Sequence, residues 1–321
     1  MDSWRQKQKE NFTSVAQLAD FLQLSQEQRA LLASPSSFIL NLPRRLADKM
    51  AKGTLNDPIV RQFLPLSEEL KVLSGFVKDP VGDGSSQLTP RLLKKYAGRA
   101  LLIVSAACAM HCRYCFRREY DYQVSTDAFF DELALIAQDH SIREVMLSGG
   151  DPLSLSNQKL GDLLKGIEAI EHVKIIRFHT RFPIGIPERI DAPFLDLIRS
   201  SKKQIYFVVH VNHPLELDDE VVLALKKLKV PILNQAVLLK GVNDDEQTLF
   251  SLCSKLIEHG ILPYYLHQLD QVAGSAHFHV NEERGRELIE YLRQNLSGYA
   301  IPKYVREIEG EPSKTPMSFN F

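Results

Sequence analysis

Residues 99–115 read RALLIVSAACAMHCRYC. The first half is an apolar run of the length and character of a strand covered on both faces. The second half sets Cys108, Cys112 and Cys115 at C-x3-C-x2-C spacing, directly after that strand. In parallel α/β folds ligands gather at the carboxyl ends of the strands. A strand that runs straight into three thiols therefore marks both the architecture and the place where its chemistry lies.

Five more apolar runs follow: EVMLSGG, KIIRFHTR, QIYFVVHVN, VPILNQAVLL and LPYYLHQLD. Amphipathic stretches separate them, TDAFFDELALIAQDH and NQKLGDLLKGIEAIEH first, then DAPFLDLIRSS, DDEVVLALKKL and DEQTLFSLCSKLIEHG. Six β/α units in series predict a parallel α/β architecture, either a barrel or a doubly wound sheet. Polar residues recur where each run ends: Ser148–Asp151, then HTR, then His210 and His213 in HVNH, then Asn234 and Gln235, then Asp270 in HQLD.

Upstream, residues 1–90 carry short helical patterns such as SVAQLADFLQL, SQEQRALLA and PRRLADKMAKG. SQEQ predicts a capping box with Ser25 and Gln28 as the reciprocal pair. The Gly-, Ser- and Pro-rich segment from Pro80 to Pro90 reads as a linker.

Composition narrows the function. Lys plus Arg (39) balance Asp plus Glu (40) for a formal charge of −1, so nothing favours a nucleic-acid partner. The amino-terminal residues lack the apolar core of a signal peptide, and no apolar run approaches the ~20 residues of a membrane span. The expectation is a soluble cytoplasmic protein, in whose reducing surroundings a cysteine trio reads as a metal site before it reads as disulfides. Cys253 sits in an apolar-periodic helix and is expected to be inert core.

By spacing alone the trio fits three irons of a cubane cluster with the fourth iron open, or zinc completed by His111, or coincidence. A lone Gly-Gly-Asp triplet is usually a turn, but one β/α unit after the cysteines it becomes a candidate site.

C-x3-C-x2-C after the first strand, with SGGDP following, resembles the radical S-adenosylmethionine superfamily. That likeness implies a partial (β/α)6 barrel (91–280), an N-terminal helical region (1–90) and a short C-terminal segment (281–321). It also implies a [4Fe–4S] cluster on the three cysteines, with S-adenosylmethionine on the open iron and near Ser148, Gly149, Gly150 and Asp151. CRYCFRR, SGGDPL, HVNHP, LNQAVLLKGVND, PYYLHQLD, SGYAIPKYVRE and GEPSKTP further resemble the lysine 2,3-aminomutases, which also use pyridoxal 5′-phosphate. The closest likeness is to their shorter branch, which lacks the cysteine-bearing extension and makes (R)-β-lysine from (S)-α-lysine for modification of elongation factor P.

Carried over residue by residue, the resemblance makes Lys314 the lysine that bonds pyridoxal phosphate. Arg99 is the main candidate for its phosphate, since a guanidinium fork suits phosphate oxygens, and KKYAGR also supplies Lys95 and Tyr96, the latter a further cofactor-binding candidate. Arg117 matches the arginine that pairs with the substrate α-carboxylate, and Asp270 and Glu307 match the acids that receive the distal ammonium. Glu307 departs from the aspartate of the pattern. Two such acids argue against glutamate as substrate. His210, His213, Asn234 and Gln235 are expected to touch the cofactors. The implied partners are L-lysine, an external electron donor of the flavodoxin or ferredoxin type, and elongation factor P with its lysyl ligase. The oligomeric state stays open, self-association included.

Overall fold

Each of the six apolar runs is a strand, and each is followed by a helix, in a computed structural model that describes residues 3–33, 38–122 and 128–317. Strands β1 (Gln87–Thr89) and β2 (Leu92–Leu93) lead into β3 (Arg99–Ser105). Then come β4 (Glu144–Gly149), β5 (Ile175–Thr180), β6 (Gln204–Val209), β7 (Ile232–Val237) and β8 (Ile261–His267). After a further helix, β9 (Lys303–Arg306) and β10 (Thr315–Pro316) complete the sheet.

Strand order decides between the two expected architectures. The ten strands lie side by side in sequence order, and every pairing from β3 to β9 is parallel. A doubly wound sheet reverses direction at a switch point; this one does not. Antiparallel β1, β2 and β10 flank the parallel run, and β1 and β10 each pair on one side only. The result is an open, partial barrel with six β/α units and an added seventh parallel strand from the 281–321 segment.

Helix starts are written locally. Ser156, Asp191, Asp218, Asp245 and Asn281 each accept a hydrogen bond from the N–H three residues on, satisfying a donor the helix cannot. The Ser25–Gln28 capping box forms as expected. Cys253 is buried on the helix Glu246–Glu258, and desolvation pushes its thiol up to about 12.

The N-terminal helical region is built into the barrel rather than appended. Its apolar residues share one core with the strands, and Trp4 packs edge-on against Phe182, ring centroids 5.4 Å apart. The segment 80–90 is not a linker: Val81 and Asp83 are buried, and residues 87–89 pair into the sheet. No helix among the described residues is long and apolar enough to cross a membrane.

Candidate active site

Strand alternation sorts side chains into two sets. One set faces the helices; the other, including Arg99, Met146, Ser148, Arg177, His179, Gln235, Tyr265 and His267, lines a single cavity at the carboxyl ends of the strands. All three cysteines of the trio line it too.

Their loop is held from outside the barrel by the N-terminal region. Asn41 Nδ2 donates to Cys108 O at 3.1 Å, Asn11 Nδ2 to Ala109 O at 2.8 Å, and Arg113 N to Gln62 O at 2.9 Å. His111 spends its Nδ1 on Ile39 O at 3.0 Å and stacks on Phe38.

The glycine pair of SGGD shapes this loop. Gly150 N donates to Ser105 O at 2.6 Å and Asp151 N to Ala107 O at 2.8 Å. A Cβ on Gly150 would lie 2.4 Å from Ala107 O, and one on Gly149, whose φ is +119°, 2.5 Å from Ser105 O. Only a bare backbone lets the β4 end approach so closely. Asp151 serves the frame: its carboxylate accepts from Leu153 N, Arg181 N, Phe182 N and Thr180 Oγ1. Burial pushes it up to about 6 despite those bonds.

A chain of alternating charge crosses the cavity. Arg117 Nε donates to Asp83 Oδ2 at 2.7 Å, and its Nη1 to Ser148 Oγ at 3.4 Å. Lys95 Nζ lies 3.5 Å from Asp83 Oδ1 and 3.2 Å from Glu307 Oε1. Tyr96 also donates to Glu307 Oε1, and Lys314 Nζ donates to Glu307 Oε2 at 2.5 Å. Desolvation, with the Glu307 charge adding to it and Lys314 opposing, pushes the Asp270 carboxyl up to about 7. Glu307 moves the other way: Lys314, Tyr96 and Lys95 outweigh its burial and hold it low. Arg99 stacks over the Tyr96 ring at 4.6 Å.

Of the residues singled out from the sequence, two lie outside this cavity. Asn234 alternates with Gln235 along β7 and so points to the opposite face, where it clasps Val211 through N and O. His213 caps the short turn Pro214–Glu216, accepting from Leu215 N at 3.2 Å. Both expectations of cofactor contact are corrected. The sequence reading missed Asp83, His179, Arg181 and His267, although HTR and HQLD already stood at strand ends.

The wall has unmet hydrogen-bonding capacity. Nε2 of His179, His210 and His267 and Oε1 of Gln235 are buried without a partner. Desolvation lowers all three imidazoles, His210 to about 4, so they are neutral at neutral pH. Each such atom left unpaired costs about 1–3 kcal/mol, which a polar ligand would recover. Desolvation and mutual repulsion likewise raise the Cys108 and Cys115 thiols, Cys115 to about 11; bound iron reverses that balance by stabilising thiolates. The three thiols line the same cavity, and the loop's own histidine, His111, is spent on Ile39 O. A cubane takes each thiolate on a separate iron, so the donor set fits a cluster.

Residues 102–253 match the Radical SAM superfamily. L-lysine 2,3-aminomutase of Escherichia coli strain K12 is 41% identical to this chain, covering 98% of it and 94% of that protein. The protein of the same name from Haemophilus influenzae is 41% identical over 88% of this chain and 86% of its own. That from Clostridium subterminale is 30% identical over 100% of this chain and 79% of its own. Full-length likeness of this order, over a chain whose strand ends carry the trio and the charged wall, places it plainly: it belongs to the lysine 2,3-aminomutase family of the radical S-adenosylmethionine superfamily.

Proposed function

We propose that this chain is an L-lysine 2,3-aminomutase, an isomerase that moves the amino group of (S)-α-lysine from C2 to C3 and releases (R)-β-lysine. The observation that carries the reading is convergence. Cys108, Cys112, Cys115, Arg117, Asp270, Glu307 and Lys314 all line one cavity.

When bound, a [4Fe–4S] cluster with S-adenosylmethionine would supply a hydrogen-abstracting radical, and pyridoxal 5′-phosphate, held by Lys314 before substrate arrives, would supply an aldehyde for the substrate nitrogen. The chain's own residues do the rest. Cys108, Cys112 and Cys115 would hold the cluster, and the Ser148–Gly150 backbone, on the same cavity wall, would serve the methionine moiety. Arg117, its Nε fixed by Asp83, turns its Nη face to the α-carboxylate, where a guanidinium fork sets both position and orientation. Arg99, its guanidinium over the Tyr96 ring, would take the cofactor phosphate. Lys314 would hold the cofactor aldehyde; it faces Glu307 Oε2, while Tyr96 and Lys95 hold Oε1, so the Glu307 carboxylate is fixed beside that point. Glu307 and Asp270 then share the distal ammonium of lysine, and a buried site keeps water from the radical.

The likeness to the shorter branch supports a cytoplasmic enzyme that takes electrons from a flavodoxin- or ferredoxin-type donor and supplies β-lysine for elongation factor P. The deciding experiment is anaerobic reconstitution with iron and sulfide, then lysine, S-adenosylmethionine and pyridoxal phosphate. Mass spectrometry with chiral separation should find (R)-β-lysine. Turnover of another amino acid but not lysine would sink the substrate while sparing the radical chemistry.

A further inference from the structure

Behind the cysteine loop lies a buried polar knot that the reaction as described does not use. The Arg181 guanidinium is its centre. Nη1 donates to Cys112 Sγ at 2.7 Å and to the Tyr114 hydroxyl. Nη2 donates to Gln62 Oε1 at 2.8 Å and to Glu216 Oε2 at 2.6 Å. Tyr114 accepts from both Arg181 and Asn212 Nδ2, so its single proton is left for Cys112 Sγ, with which it is hydrogen-bonded. Glu216 is satisfied on its other oxygen by Gln62 Nε2 and the N–H groups of Asn212 and His213.

The three thiols are therefore unequally placed. Cys112 faces a cation and a hydroxyl. Cys115 has a backbone N–H from Arg117, and Cys108 faces the Asp151 carboxylate. Gln62 and Glu216 would suffice to tie the knot together; aiming the remaining Nη at sulfur adds nothing to that tie.

We propose that Arg181 is a positioning residue that raises the reduction potential of the cluster by acting through Cys112 Sγ, with Glu216 as the counter-charge that moderates it. Gain of one electron, delivered by a one-electron reductant, leaves the cluster more negative with no bond made or broken. A fixed guanidinium hydrogen-bonded to a ligand sulfur stabilises that reduced form, since hydrogen bonds to the sulfurs and local charge are what set such potentials. The inference rests on the cluster at Cys108, Cys112 and Cys115 and not on lysine as substrate.

The test is an anaerobic dithionite titration of reconstituted protein, followed by electron paramagnetic resonance and visible absorbance, with iron and sulfide content measured for each variant. Arg181→Gln should shift the potential to a more negative value, with at least a tenfold loss of reduced cluster at a fixed potential, about 59 mV for one electron. Glu216→Gln is nearly isosteric and leaves the cation uncompensated, so it should shift the potential the opposite way. A knot that only braces the loop predicts unchanged potentials, or shifts of the same sign, and either result overturns the proposal. Should Arg181→Gln fail to hold a cluster, Glu216→Gln decides alone, and no rise refutes the idea. Failure of the unsubstituted chain to assemble a cluster would refute the cluster itself and this inference with it, whereas absence of β-lysine alone would not.

Discussion

Arg117 Nε donates to Asp83 Oδ2 at 2.7 Å inside the cavity, joining the residue two places after the last cysteine to a segment whose composition suggests a linker. Both side chains are buried, so neither charge has water to fall back on. Asp83 also faces Lys95, which reaches Glu307 and through it Lys314.

Asp83→Ala should therefore harm both folding and catalysis. Removing one partner of a buried ion pair costs about 3–5 kcal/mol. A mis-set guanidinium should lower kcat/KM for lysine roughly 100-fold, mostly through KM. Thermal denaturation and steady-state kinetics check this; an unchanged KM would show that Arg117 needs no help from Asp83.

Asp270 sets a pH limb. Its carboxyl titrates at about 7, and only the ionised form attracts the ammonium of lysine. kcat/KM should rise with pH as Asp270 ionises, in a limb above the ordinary aspartate range, because that ratio reports the free enzyme. In Asp270→Asn the limb should vanish and the level should drop. The sign for stability is opposite. The raised pKa means the folded protein gains nothing from ionising Asp270, so stability falls as pH climbs from the ordinary aspartate range through about 7. Asp270→Asn should melt higher than the parent at pH 8. A parent that melts no lower at pH 8 than its variant would contradict the burial argument.

Gly150→Ala tests the close approach of β4 to the cysteine loop. A methyl placed 2.4 Å from Ala107 O must push the loop away, at a cost of about 1–3 kcal/mol. Iron content per chain should drop along with the melting temperature. Full iron loading would mean that the loop tolerates the shift.

The cysteines separate cleanly. Cys253→Ala removes one buried sulfur from a helix and should cost about 1 kcal/mol while leaving iron and sulfide content at the parental level. Alanine at Cys108, Cys112 or Cys115 should abolish stable cluster binding, read by visible absorbance and iron analysis. Parental absorbance in any of those three would remove it from the ligand set.

Much of this was legible in the sequence because it is local. A C-x3-C-x2-C spacing, a capping box at Ser25 and Gln28, and near-continuous apolar runs all express themselves within a few residues. Strand parity is legible too: neighbours on a strand face opposite ways, so of Asn234 and Gln235 only one can face the cavity, and it is Gln235. His213 shares the HVNH motif with the cavity-lining His210 but caps a turn.

The sequence by itself determined six β/α units, the strand ends where chemistry gathers, and the loop that carries the three thiols, because periodicity and spacing are properties of a single segment. Tertiary structure alone decided that the strands run in unbroken order as an open barrel. It alone brought Asp83 to Arg117 across 34 positions, Arg181 to Cys112 across 69, and Tyr96 to Glu307 across 211. The physical reason is that a buried charge must find its partner wherever packing delivers one, and nothing in the residues around it names that partner in advance.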